Sequence, residues 1–543
     1  MKNKKGIIAC LSMMLIVGIL GAAVFFWTTS IVLASEISVK EGHQKKTASI
    51  TIDEINFPDK NFRMIMQSKI DTNNDGILSQ VEIEAVKVFS IRCSQRAKNI
   101  LGYTEKVADS IGYREYNGKA VDFTGLQYFT SLENLYISNV TPVNLSLKQL
   151  TELQDVYFTS FPSVSLDFSS NGKLKRIQCS YFDSLQDVNL KGLDKLENLG
   201  INNCFLKEID ISTNTNLKNL RLADNQLTNV DVSNNTRLES IFLSNNPITK
   251  LNLRNLNELK HLSICDCAFA KINKDTLPVS SKSKLEELYA WDMPNCTVLD
   301  VSHMPALRDV TAWNNIFSTI KIGKNLNSLN ISKSRRMSGL DSSVLQAPKD
   351  AKLSGLIVHG SRITKISTSH LKKLRYLDAT NCRLKYINIS GNTMLSGLQL
   401  IEECSESSYK LSGNINLKTI IVNKKSEPGC MEELKHVAKL NGAQITYIPS
   451  KVTGLKAVKK TKSTLKLCWN SVKGASGYKV YDAVTGKRLV TVSTKRGSGK
   501  IYKTITGLKS GQKRKYKVRA YVTVNGTNYY GDYSEVYSKA TAK

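Results

Sequence analysis

The chain is poor in the residues that most often carry chemistry. Only six His occur in 543 residues, and none stands in an HExxH or other metal-binding spacing. There is no GxSxG elbow, no phosphate-binding P-loop and no GxGxxG opening a helix, which removes the common hydrolase and nucleotide-binding sites. The 11 Cys include no CxxC pair, so neither a dithiol redox motif nor a paired zinc site is present. Acids are scarce, 46 Asp and Glu against 76 Lys and Arg, for a net charge of +30. The pairs Glu402-Glu403 and Glu432-Glu433 read as solvated surface rather than a catalytic couple. No Leu-Pro-x-Thr-Gly-like sorting signal and no apolar C-terminal tail is found. A non-enzymatic protein is expected.

What is abundant is a period. Fourteen times the chain places a Leu, two residues, an aliphatic, one residue and another aliphatic. The clearest copies are Leu217-x-x-Leu220-x-Leu222-x-x-Asn225-x-Leu227 and Leu238-x-x-Ile241-x-Leu243-x-x-Asn246-x-Ile248. The register runs from Leu132 to Leu417, mostly in steps of 21 or 22, with longer steps from Leu259 to Leu285 and from Leu326 to Leu353. This is the leucine-rich repeat signature. One unit cannot bury its own apolar face, so stacking is required, with one short parallel strand per repeat lining a concave wall. Asn225, Asn246 and Asn315 fill a turn slot whose side-chain amide can satisfy backbone groups. Cys204, Cys267 and Cys382 take the same slot, and these Cys, with Cys179 and Cys265, read as small core residues.

Around the repeats the expected order is as follows. Residues 1–35 carry Lys2, Lys4 and Lys5 before a long apolar run and Val32-Leu33-Ala34, an export signal or a retained membrane anchor. Residues 50–92 form a small helical cap, with Pro58 at a first helical position and an apolar stripe of Phe62, Ile65, Met66 and Ile70. Between its helices, Asp71 to Glu82 matches D-x-[DN]-x-[DN]-G-x5-E, an EF-hand-like calcium loop. Asp71, Asn73, Asp75, Ile77 through its carbonyl, Ser79 and bidentate Glu82 are the expected ligands, with an affinity of about 0.1–1 mM. Residues 93–423 are the solenoid and 424–449 a closing helix and strand. Residues 451–543 hold seven expected strands and 22 Lys and Arg against Asp482, Asp532 and Glu535. The predicted fold class is therefore β-rich and multidomain.

Trp469, Leu508 and Tyr516-x-Val518-x-Ala520 resemble the core pattern of a fibronectin type III sandwich. The whole order resembles secreted or surface leucine-rich repeat proteins of Gram-positive bacteria and is similar in layout to internalins. Phe123-Thr124-Gly125-Leu126-Gln127-Tyr128-Phe129 and Asn229-Val230-Asp231-Val232-Ser233-Asn234-Asn235-Thr236 also resemble repeat proteins of anaerobic gut bacteria. The resemblance implies an extracellular or surface location and a protein ligand.

Residues two, four and six after the first Leu of a repeat should share the open face, because strand side chains alternate. Trp291 and Trp313, the two Trp of the solenoid, both fall at the sixth offset of consecutive repeats. Tyr289 precedes Trp291 on the same face, and Glu287 and Asp309 take the second offset. These five residues are the expected ligand site, with Tyr136, Tyr157 and Phe242 further along. A basic protein or peptide is the expected partner, because Glu287, Asp309 and Asp292 surround the rings. A glycan is the alternative, in an accessory protein of a polysaccharide-degrading system. The basic last domain, with Lys459-Lys460 and Lys513-Arg514-Lys515, is expected to meet an anionic cell envelope rather than nucleic acid.

Overall fold

The computed structural model describes residues 49–92, 120–160, 162–401, 414, 416–424, 428–493 and 499–542. The expected export segment 1–35 and the solenoid entry 93–119 lie outside them. Among the described residues no helix is long and apolar enough to cross a membrane.

Each repeat contributes a strand of three to five residues, and these assemble into one parallel sheet of 14 strands, from Val88–Arg92 to Gly397–Gln399. Equivalent positions pair throughout, as Leu220 with Ile241 and Leu288 with Val310. The inward aliphatics are almost fully buried and join one continuous core along the described solenoid. Short strands on the opposite wall form smaller parallel sheets, including Lys271–Ile272, Val298–Asp300, Thr319–Lys321 and Leu345–Gln346. Both walls are therefore made of strands.

Two positions depart from the sequence reading. The sheet begins at Val88–Arg92, inside the segment read as cap, where it pairs with Asn134–Ser138. The strand after Leu417, Thr419–Val422, does not extend the long sheet but joins Tyr386–Asn388 and Gln444–Tyr447 on the opposite wall. Its four residues are buried on both faces, so it has no polar face to offer to solvent.

Buried asparagines tie the repeats together. Asn246 Nδ2 donates to the carbonyls of Leu222 at 2.8 Å and Leu243 at 2.9 Å, and its Oδ1 accepts from Leu227 N at 2.9 Å. Asn225 and Asn315 repeat the pattern. Cys267 and Cys382 replace it with one thiol donation, each at 3.3 Å, to the carbonyls of Leu243 and Val358. A second set lies three residues before the first Leu: Asn171, Asn214, Asn235 and Asn392 each donate twice to buried carbonyls. Between strand and turn, the residue seven after the first Leu is left-handed in twelve consecutive repeats, from Asn139 to Asn381, with φ between 50° and 64°. Most are Asn or Asp, which tolerate that region, and one is Gly360.

Charges also run from repeat to repeat at the residue after the first Leu. Lys218 pairs with Glu197 at 2.9 Å, Lys260 with Glu239 at 2.8 Å and Arg308 with Glu286 at 4.0 Å. Each pair is exposed, so solvent screens it and it adds little to stability.

Both ends of the long sheet are covered. At the first strand, Phe62 meets Phe89 edge-on, centroids 5.5 Å apart, within a cluster that includes Phe57 and Phe123. Gly125, with φ 105°, lets the Phe57 ring approach, since a Cβ there would lie 2.2 Å from it. The first helix spans Lys60–Ile65, capped by Asp59, so Pro58 sits just outside it. At the last strand, helix Pro428–Asn441 brings Cys430 Sγ to the Leu395 carbonyl at 3.1 Å, and the Glu433 carboxylate accepts from Leu400 N at 3.2 Å. Beyond it, strands Lys456–Lys460, Leu465–Asn470 and Lys500–Ile505 form one antiparallel sheet. Gly477–Asp482, Arg488–Ser493, Lys513–Val524, Thr527–Tyr530 and Tyr537–Ala540 form a second. These eight described strands, one more than the seven expected, share a core around Trp469, Tyr478 and Tyr516, of which the sequence pattern placed Trp469 and Tyr516 inside.

Asn246→Ala strands two buried carbonyls and one N–H, so it should cost about 2–3 kcal/mol. Asn246→Cys keeps one donation, as Cys267 does, and should cost less. Urea unfolding of both variants checks this. Equal losses would show that volume, not hydrogen bonding, sets the slot.

Candidate functional site

The long sheet places Glu287, Leu288 and Tyr289 on one strand and Asp309, Val310 and Thr311 on the next, paired in register. Leu288 and Val310 point into the core, so their neighbours face outward. Trp291 and Trp313 follow at the same offset, where each strand leads into its left-handed turn at Asp292 and Asn314. Backbone bonds continue the ladder there: Asp266 N donates to Trp291 O at 2.9 Å, and Asp292 N to Trp313 O at 3.1 Å.

The two indoles stack face to face, centroids 5.7 Å apart and planes 9° from parallel. Tyr289 meets Trp291 edge-on at 5.8 Å. Lys333, from the next repeat, covers the Trp313 ring at 5.4 Å. Both indoles are half-buried. They stand like slices along the sheet, with their faces turned toward neighbouring repeats.

Beside them runs a polar chain. His261 Nδ1 lies 3.0 Å from Glu287 Oε2, and Tyr289 Oη donates to the same oxygen at 2.9 Å. The hydrogen bond to Glu287 raises the His261 pKa against the pull of burial. The His261 bond in turn holds the Glu287 carboxyl below its usual range. Partial desolvation and the Glu287 charge raise Asp309. Asp292 accepts a hydrogen bond from Asn314. The structure thus brings Glu287, Tyr289, Trp291 and Trp313 into one patch, with Asp309 beside Glu287 in the ladder. The pattern missed His261, whose signal was its second offset in the preceding repeat. Tyr136 and Tyr157 pair at a distance along the same sheet, and Phe242 lies under the Arg221 guanidinium at 4.3 Å.

The loop Asp71–Glu82 has the expected helix–loop–helix setting, and its Ile77–Leu78 pairs with Ile50–Thr51. Asp71 accepts from Gly76 N at 2.9 Å, and Asp75 accepts from Ile77 N at 2.8 Å and from Asn73 Nδ2 at 2.9 Å. The donors are all oxygens, the chemistry calcium requires. Their side chains are turned to hydrogen-bond donors of the loop itself. Glu82 Oε1 takes the Thr72 N–H at 2.6 Å and hydroxyl at 2.7 Å, while Oε2 takes the Ser79 N–H and hydroxyl, both at 2.9 Å. Burial raises the Glu82 pKa, but these bonds outweigh it and bring it to about 2. Among the described residues no group of three His, Cys, Asp or Glu is placed to hold a metal. Glu82 serves here as the capping residue of helix Gln80–Ala85.

No family model and no curated protein matches the chain. Among solved structures it is similar to internalin C2 of Listeria monocytogenes, at 16% identity over 50% of this chain and 100% of that one, TM-score 0.33. It is also similar to the functional domain of InlJ from Listeria monocytogenes, which includes a cysteine ladder, at 14% identity over 92% and 99% of the two chains, TM-score 0.32. A structure named FN3tt is similar to 18% of this chain and 98% of its own, at 19% identity and TM-score 0.14.

Proposed function

We propose that this chain is a non-enzymatic adhesion or binding protein of the cell exterior. In this reading it takes a basic protein or peptide on the outward face of its long sheet. The stacked pair Trp291–Trp313 carries the reading. Two large half-buried rings on an outward strand face are typical binding anchors. Glu287, Asp309 and Asp292 set negative charge around them, which selects a basic partner. A glycan platform presents ring faces to solvent. Here one indole covers the other and Lys333 covers Trp313, which favours the peptide over the sugar. The sandwich is taken as a fibronectin type III domain that holds the chain to an anionic envelope through its excess of Lys and Arg.

Trp291→Ala with Trp313→Ala should weaken capture of the solenoid's partner by about a hundredfold or more, as loss of two anchors implies. Far-UV circular dichroism should stay unchanged. A footprint on the opposite wall, or unaltered affinity in a folded double variant, would refute the placement.

Calcium enters this reading as a weak ligand of Asp71, Asn73, Asp75, Ile77, Ser79 and Glu82, because Glu82 must first give up four hydrogen bonds. Calorimetry at about 5 mM calcium, several times the expected dissociation constant, should give heat that Glu82→Gln abolishes. Absence of heat in the parent chain would make the loop a purely structural turn.

A further inference from the structure

One face of the sandwich sets like charges against each other with no acid paired to them among the described residues. Lys479 and Arg519 are directly opposed in the antiparallel pair of Gly477–Asp482 and Lys513–Val524, and Tyr481 opposes Lys517 two residues on. Like charges facing each other across strands are destabilising. All three cations are half-buried, yet among the described residues none forms an ion pair. The domain's acids are engaged elsewhere or point to solvent: Glu535 pairs with Lys451, Asp482 accepts from Val484 N and Thr485 N, and Asp532 is exposed.

Tyrosine rings fill the space between the cations. Arg519 lies over Tyr530 at 3.9 Å, Tyr533 at 4.8 Å and Tyr481 at 5.1 Å. Lys479 lies over Tyr530 at 4.8 Å and Tyr521 at 5.6 Å, and Lys517 over Tyr533 at 4.4 Å. Arg519 also donates to Tyr481 Oη at 2.9 Å, and Lys479 to Tyr530 Oη. The result is a row: Lys479, Tyr530, Arg519, Tyr533, Lys517. Ring contacts offset part of the desolvation of each cation, but they add no negative charge.

We propose that this row is a binding site for a linear polyol-phosphate polymer. The proposal rests on the reading of the basic domain as the envelope-binding end and narrows it to one face. Cations spaced by neutral hydroxylic rings complement anions spaced by neutral hydroxylic units. A guanidinium fork matches two phosphate oxygens, and a tetrahedral phosphate keeps oxygens free for a neighbouring tyrosine hydroxyl. Nucleic acid is disfavoured because single-stranded chains need open aromatic faces for base stacking, and these rings are covered by cations.

The test measures binding of the full chain to poly(glycerol phosphate), polyglutamate, oligodeoxythymidylate and inorganic phosphate at low salt. Poly(glycerol phosphate) should bind most tightly. Arg519→Gln, Lys479→Gln and Lys517→Gln should each weaken it about tenfold, while Arg519→Lys, which keeps the charge but loses the fork, should recover only part of the affinity. Lys456→Gln with Lys466→Gln removes two exposed charges from the other sheet and should change it little. Near-UV circular dichroism identifies a variant that fails to fold, in which case the remaining two decide. Equal weakening by the control pair would overturn the site while leaving a general basic domain in place. Tighter binding of polyglutamate would overturn the assignment to phosphate, and tighter binding of oligodeoxythymidylate, also a phosphodiester, would overturn the assignment to a polyol spacer. No binding of any polyanion would overturn both readings.

Discussion

The solenoid depends on side-chain amides that complete a backbone which strand pairing alone leaves unfinished. After each short strand the chain must turn, and its carbonyls would be buried without donors. Asn225, Asn246 and Asn315 supply those donors across the repeat boundary. Asn171, Asn214, Asn235 and Asn392 do the same before the strand. Hydrophobic burial gives the stack its driving force and turns one face of each strand inward, but it is non-directional and leaves the register of the turns loose. The amide bonds specify it, because each reaches a particular carbonyl of the preceding repeat. That register lets Trp291 and Trp313 meet ring on ring rather than pass one another.

Much of this architecture was legible because the Leu spacing is a direct image of the core. Offsets counted from the first Leu placed Glu287, Tyr289, Trp291, Asp309 and Trp313 on one face, since alternation along a strand is a geometric fact. Other features escaped for physical reasons. The left-handed position varies from Asn and Asp to Ser160, Tyr181 and Lys333, so composition does not mark it. The asparagines before the strand are replaced by Leu150, Leu193 and Leu256 in other repeats, which hides the ladder they form. Thr419–Val422 satisfies the Leu pattern, yet it pairs with Tyr386–Asn388 and Gln444–Tyr447 on the opposite wall, where it is buried on both faces. The Asp71–Glu82 motif gives residue types but not rotamers, and Glu82 turned to the donors of Thr72 and Ser79.

The two aromatic faces handle charge in opposite ways. On the solenoid, rings stack on each other and carboxylates gather beside them. On the sandwich, rings separate cations, and among the described residues no carboxylate pairs with them. The two parts touch through Tyr386 and Tyr529, whose hydroxyls lie 2.7 Å apart, with Lys365 over the Tyr386 ring at 5.6 Å. A hydroxyl pair between tilted rings gives the joint a direction as well as a contact.

The ion pairs that climb the solenoid at the residue after each first Leu alternate in sign: Glu197, Lys218, Glu239, Lys260, Glu286, Arg308. A single repeat is therefore not the true unit of this stretch. Removing or copying one would set Lys beside Lys or Glu beside Glu along the edge of the sheet, although every Leu and Asn stayed in place. Removing or copying two would preserve each pairing. The stretch has a parity, and gain or loss of repeats within it is electrostatically neutral only in even numbers.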